Sequence, residues 1–128
     1  MIKQIATTEA PQAVGPYSQA VQAGGFLFVS GQIPLNPKTG NLVEGTISEQ
    51  AERVFQNLRA ILDEVDLTFA DVVDATVYLA NIQDFQAVNA IYATFFNSAV
   101  LPARCAVQVA ALPKGAKLEI SCTAYCSK

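Results

Sequence analysis

Two residues hold the strongest chemical promise in this chain, Arg104 and Glu119, each set in an otherwise apolar, alternating run. Residues 101–109 read Leu-Pro-Ala-Arg-Cys-Ala-Val-Gln-Val. Pro102 breaks whatever precedes it, and the alternation that follows predicts a β-strand. That strand turns Arg104, Ala106 and Gln108 to one face and Cys105, Val107 and Val109 to the other. Residues 118–125 alternate as well, with Leu118, Ile120, Cys122 and Ala124 opposite Glu119, Ser121, Thr123 and Tyr125. The planar fork of an arginine matches the two oxygens of a carboxylate. A glutamate between apolar neighbours can serve as a general acid–base, because partial burial raises its proton affinity. The plainer alternatives are a surface ion pair for Arg104 and a solvent-facing strand position for Glu119.

Three further positions invite a chemical reading. Cys105 lies beside a cation that favours thiolate, yet it points away from Arg104 on the strand and no histidine exists to relay its proton. A packed thiol is the alternative. Ser30-Gly31 closes an apolar strand, where glycine lets a ligand come close to the backbone. Tyr17, just after Gly15-Pro16, is either a lid aromatic or plain packing.

Composition narrows the chemistry. The 128 residues suffice for one domain, spanning 1–128, with a real core. The absence of histidine removes the commonest general base, the Ser-His and Cys-His pairs and most transition-metal sites. Eight scattered Lys and Arg residues, a net charge of −3 and a pI near 4.7 argue against nucleic acid as a partner. The longest uncharged stretch, residues 10–37, is interrupted by Gly24-Gly25 and by prolines, so no membrane span is expected. With no leader-like start, the expected setting is cytoplasmic. Three cysteines fit free, buried thiols in a reducing compartment; Cys122 and Cys126 would stand roughly 13 Å apart on a strand, too far to bridge. Only 15% of residues are charged against 52% hydrophobic, which predicts apolar surface covered by another subunit.

The elements that must position these residues follow from periodicity. Residues 2–5 read as a short edge strand. Strands over 17–23 and 26–30 flank Gly24-Gly25 in a two-residue hairpin, the second apolar throughout and expected to be covered on both faces. A loop over 31–45 carries a type I turn at 36–40 and is long enough to be a lid. Apolar residues at 47, 51, 54, 55, 58, 61, 62 and 65 predict a helix over 47–65, capped by Thr46 or Ser48. A capping-box-like turn at Thr68 and Asp71 precedes a strand over 72–80 with Val73, Ala75, Val77 and Leu79 on one face. A second helix, capped by Asn81 or Asp84, runs to about residue 97 with Phe85, Val88, Tyr92 and Phe95 inward. The order β-β-β-α-β-α-β-β is α+β: one six-stranded sheet with two helices on one face and the other face bare.

Several of these segments coincide with one family pattern. Pro102-Ala103-Arg104-Cys105-Ala106-Val107, Leu112 and Leu118-Glu119-Ile120 resemble the signature of the RidA/YjgF family. So do Gly15-Pro16-Tyr17-Ser18-Gln19-Ala20, Ser30-Gly31-Gln32-Ile33-Pro34, Asn36-Pro37-Lys38-Thr39-Gly40, and the run from Asp84-Phe85 through Val88-Asn89 to Tyr92 and Phe95-Phe96. The resemblance implies a chorismate-mutase-like, YjgF-like fold and a homotrimer whose sheets line a central barrel. It implies cofactor-free hydrolysis of reactive enamine/imine intermediates of the 2-aminoacrylate class to 2-oxo acids and ammonia, a 2-iminobutanoate/2-iminopropanoate deaminase. Arg104 would then hold the substrate carboxylate and Glu119 would orient or deprotonate water. Ser30, Gly31, Cys105 and Ala106 would line the pocket, with Tyr17 and Asn89 closing it. The last strand would lie between strands 26–30 and 72–80, with the Arg104 strand at the edge and the site at a subunit boundary. Many deaminating members carry cysteine two residues after the arginine; here Ala106 takes that place. A ligand-sensing trimer, a ribonuclease or translation inhibitor, and a holdase-like chaperone are the rival roles.

Overall fold

The computed structural model describes residues 1–126. Six strands and two helices follow one another as β1 (Lys3–Ile5), β2 (Ala20–Ala23), β3 (Phe26–Gln32), α1 (Ile47–Glu64), β4 (Val72–Leu79), α2 (Phe85–Phe95), β5 (Ala103–Gln108) and β6 (Leu118–Tyr125). They form one mixed sheet in the order β1-β2-β3-β6-β4-β5, antiparallel throughout except for the parallel pair β4–β5. Strand β6 thus sits between β3 and β4, and the Arg104 strand is an edge. This is the expected α+β architecture.

Helix α1 follows from its sequence. Ala51, Val54, Phe55, Leu58, Ile61 and Leu62 recur at three- and four-residue spacing and are all buried. Thr46, not Ser48, is the cap: its hydroxyl accepts from the Glu49 amide at 3.2 Å, while the Glu49 carboxylate accepts from the Thr46 amide at 2.9 Å. The same reciprocal pattern joins Thr68 and Asp71 around a single 3₁₀ turn. Between the helices, the Phe55 ring stacks on Phe95 at 4.8 Å and meets Phe69, Tyr92 and Phe96 edge-on. Gly24 takes a left-handed φ of 59°, which the hairpin between β2 and β3 requires.

Several local expectations change. Residues 17–19 are not strand, because Gly15 adopts φ 127° and the Tyr17 amide turns back onto the Gly15 carbonyl at 2.9 Å. Strand β3 is covered on one face only within the chain; Phe26 and Phe28 are 41% and 48% exposed. On β4 a register shift between Val72 and Asp74 puts Val72 inward and leaves Val73 42% exposed. Residues 36–40 close a five-residue turn, with the Gly40 amide on the Asn36 carbonyl at 2.8 Å. Helix α2 ends at Phe95, which packs half-buried against the core as expected, and Phe96 just beyond it is buried as well. Asn81 caps the 3₁₀ turn before α2, and Asp84 makes no capping bond. Of the three free thiols only Cys122 is buried; Cys105 is exposed, since it sits on the bare face of an edge strand.

Candidate active site

The sheet holds two separate clusters of the residues singled out above. The first surrounds Glu119. Between Val29 and Gln32 the β3–β6 ladder is interrupted, and Ser30-Gly31 bulge where Glu119 begins its strand. The bulge makes room for the carboxylate: a Cβ at Gly31 would collide with the Glu119 side chain. Ser30 is fixed by its hydroxyl donating to the Ser18 carbonyl at 2.6 Å and its amide donating to the Gln19 carbonyl at 2.9 Å.

Glu119 lines a cavity of about 820 Å³ shared with Tyr17, Ser30, Gly31, Gln32, Lys38 and Lys114. Desolvation in this half-buried place pushes the Glu119 carboxyl above the ordinary carboxylate value. Two buried amides hold the loop wall. Asn57 donates to the Leu35 carbonyl at 3.0 Å, and Gln50 to the Val43 carbonyl at 3.2 Å. Lys114 occupies left-handed backbone, φ 58°, next to Gly115.

The second cluster surrounds Arg104. Its Nη1 donates to Asn89 Oδ1 at 2.6 Å, and its guanidinium lies 4.7 Å from the Tyr92 ring centre and 5.3 Å from that of Phe85. Phe85, Asn89 and Tyr92 stand four and three residues apart along α2, so one helical stripe cradles the arginine. Burial raises the Tyr92 hydroxyl above its usual value. This cradle keeps a flexible, exposed side chain in one direction, which would lower the entropy cost of binding an anion there.

One chain does not unite the clusters. Arg104 faces the helices through Asn89, whereas Glu119 alternates with buried Leu118 and Ile120 and faces the opposite side. Arg104 is level with Ala75 on β4 and Glu119 with Tyr78, two strands apart. That spacing puts their backbones roughly 14 Å from each other. Cys105 turns away from Arg104, and Ala106 sits half-buried beside it. Phe85 and Tyr92 were read from sequence only as core, because their cationic partner lies on another strand. Lys38 belonged only to the 36–40 turn and family run, and Lys114 and the two amide anchors carried no sequence signal beyond polarity.

The profile of the endoribonuclease L-PSP family matches residues 7–126. The chain belongs to this family, whose members include the Rid and RutC proteins. A RutC family protein of Pyrococcus abyssi is 47% identical over 126 residues, covering 98% of both chains. The 2-iminobutanoate/2-iminopropanoate deaminase of Mus musculus is 49% identical over 122 residues, covering 95% of this chain and 90% of its own. Among solved structures, Escherichia coli TdcF with bound serine superposes with a TM-score of 0.91 at 41% identity, covering 96% of this chain and 98% of that one.

Proposed function

We propose that this Rid protein is a cytoplasmic enamine/imine deaminase, hydrolysing 2-imino acids of the 2-aminoacrylate class, and that Arg104 of one chain and Glu119 of another complete each site in a homotrimer. The observation that carries this reading is the division of the chemistry. A carboxylate-binding fork and a half-buried carboxylate are each fully supported, yet stand on opposite faces of one sheet. A small imino acid cannot span that separation, so a second copy must supply the missing half. The apolar face carrying Phe26, Phe28 and Tyr125 provides surface for such a copy. The mouse relative's name states this activity, and TdcF holds serine, an amino acid with the same carboxylate.

The chemistry needs little. The imine carbon is already electrophilic, so positioning and modest base assistance suffice without a cofactor. Arg104 holds the carboxylate, with Asn89 keeping its fork in place. Glu119 takes a proton from water as the water oxygen bonds to the imine carbon and the C=N electron pair moves to nitrogen. The proton passes to that nitrogen; Glu119 then takes the carbinolamine hydroxyl proton and returns it to the amino group, the C–N bond breaks as C=O forms, and 2-oxo acid and ammonia leave. Ser30, Gly31 and the backbone of Cys105 and Ala106 line the pocket, and Tyr17 closes it.

The test couples a serine or threonine dehydratase to 2-oxo acid formation with and without the protein, in the presence of a trap for free imine. Faster 2-oxo acid release is expected. Saturable 2-oxo acid binding with no acceleration would replace the enzyme reading with a sensing one.

A further inference from the structure

The chain before β2 forms an arm, residues 6–18, without strand or helix, yet it supplies Thr8, Pro11, Gln12, Val14 and Tyr17 to the wall of the Glu119 cavity. An irregular segment keeps one shape only where its backbone groups find partners. Here one side chain supplies partners to four of them. Gln19 is 4% exposed, and its Oε1 accepts from the Thr7 amide at 2.7 Å. Its Nε2 lies within hydrogen-bonding distance of three arm carbonyls, Thr7 at 3.1 Å, Ala10 at 3.3 Å and Pro11 at 2.7 Å. With two hydrogens for three acceptors, the amide is used to capacity. The Gln19 carbonyl in turn accepts from the Ser30 amide at 2.9 Å. One residue therefore ties the arm to the bulge against which Glu119 rests.

We infer that Gln19 is a positioning residue of the site: its amide clamps the arm as a cavity wall and sets how well substrate is captured. Its kinetic consequence rests on the deaminase reading; the clamp itself does not. Glu119 is held by its place opposite Tyr78 on β4, and Gly31 lies between the β3–β6 pairs Val29–Cys122 and Gln32–Ile120, so the Gln19 side chain touches neither. Loosening the arm thus acts on capture and on Tyr17, while the reacting carboxylate stays in place. Glutamate at 19 would keep the acceptor for Thr7 but turn a carboxylate on three carbonyl oxygens. Methionine would keep the length and lose every bond.

The experiment compares native protein with Gln19→Met and Gln19→Glu by hydrogen exchange, circular dichroism and steady-state imine hydrolysis. In both variants exchange at amides 7–17 should rise about a hundredfold while amides of β3 and β6 keep their protection. KM should rise about tenfold with kcat within about twofold. Unchanged exchange in the arm would overturn the clamp. Exchange rising equally across β3 and β6 would mark Gln19 as a general stabiliser instead. A loosened arm with unchanged KM would remove the arm from the site. Should the native protein fail to hydrolyse imines, the deaminase reading falls alone, and the arm's exchange together with 2-oxobutanoate affinity decides the clamp.

Discussion

The Glu119 carboxylate occupies the space beside Gly31 that a side chain there would need, with a Cβ at residue 31 falling 2.8 Å from Glu119 Cδ. The backbone at Gly31 is not left-handed, so alanine meets no strain of its own. The nearest atoms it would meet all belong to the Glu119 side chain, Cγ among them at 3.0 Å. Gly31→Ala should therefore swing the carboxylate aside and lower kcat/KM about a hundredfold, while unfolding free energy changes by less than about 1 kcal/mol. Kinetics alongside denaturant unfolding checks the pair.

The elevated proton affinity of Glu119 has a signed consequence. Burial penalises its charged form, so the folded state holds the proton to higher pH than the unfolded chain does. The acidic limb of kcat/KM should accordingly fall at a pH above the ordinary carboxylate value of 4.5. Stability contributed by the protonated group is present below that value and is lost as pH rises through the folded pKa. Glu119→Gln should abolish the acidic limb. Its stability advantage over the native protein should grow as pH rises through that range. A limb that survives the substitution belongs to another group.

Arg104 should resist conservative replacement. Lysine keeps the charge but loses the fork that meets two oxygens and the flat face that lies on Tyr92. Arg104→Lys should cut kcat/KM by about fiftyfold, and Asn89→Ala by less, with melting temperature little changed because the guanidinium is exposed. Activity kept by Arg104→Lys would mean that charge alone suffices.

Sharing between chains can be read by mixing. Arg104→Ala and Glu119→Gln, each strongly impaired but measurable alone, should recover about one quarter of native activity per site when unfolded together and refolded as random trimers. No recovery would place both residues in one chain's site, against the separation across the sheet.

The thiols should divide by burial. Cys122 lies in the core with its thiol pushed up to about 12, so it should stay unmodified by thiol reagents at pH 8 until the protein unfolds. Cys105→Ala should keep kcat/KM within about threefold, since its side chain turns away from Arg104. Mass spectrometry of labelled peptides and kinetics of the variant check both.

Much of the fold was legible in residue pattern. Helix α1 showed its spacing and both possible caps, and β6 showed the alternation that sets Glu119 apart from Leu118 and Ile120. What was hidden were relations between distant segments. The Ser30-Gly31 bulge is a mismatch of register between two strands and leaves no mark on either alone. Val73 satisfied the alternation rule but lost its inward place to a shift at Val72. Tyr17 looked like a strand residue until the left-handed Gly15 turned the chain. The arginine cradle was half visible, because Phe85, Asn89 and Tyr92 follow helical spacing, but nothing in α2 names a guest arriving from β5.

Among the described residues, two other than glycine hold left-handed backbone, Asp66 just after α1 and Lys114 on the cavity rim, both at φ 58°. Each would be more comfortable as glycine, by about 0.5–1 kcal/mol before the looser unfolded chain is counted. Asp66 lies outside the residues that line the cavity, and Lys114 is among them. Selection for heat resistance would thus find the same remedy at both positions with different results. At 66 it would leave the pocket's charge as it is, and at 114 it would strip a cation from the entrance, so thermal robustness and ligand preference are tied together at one loop.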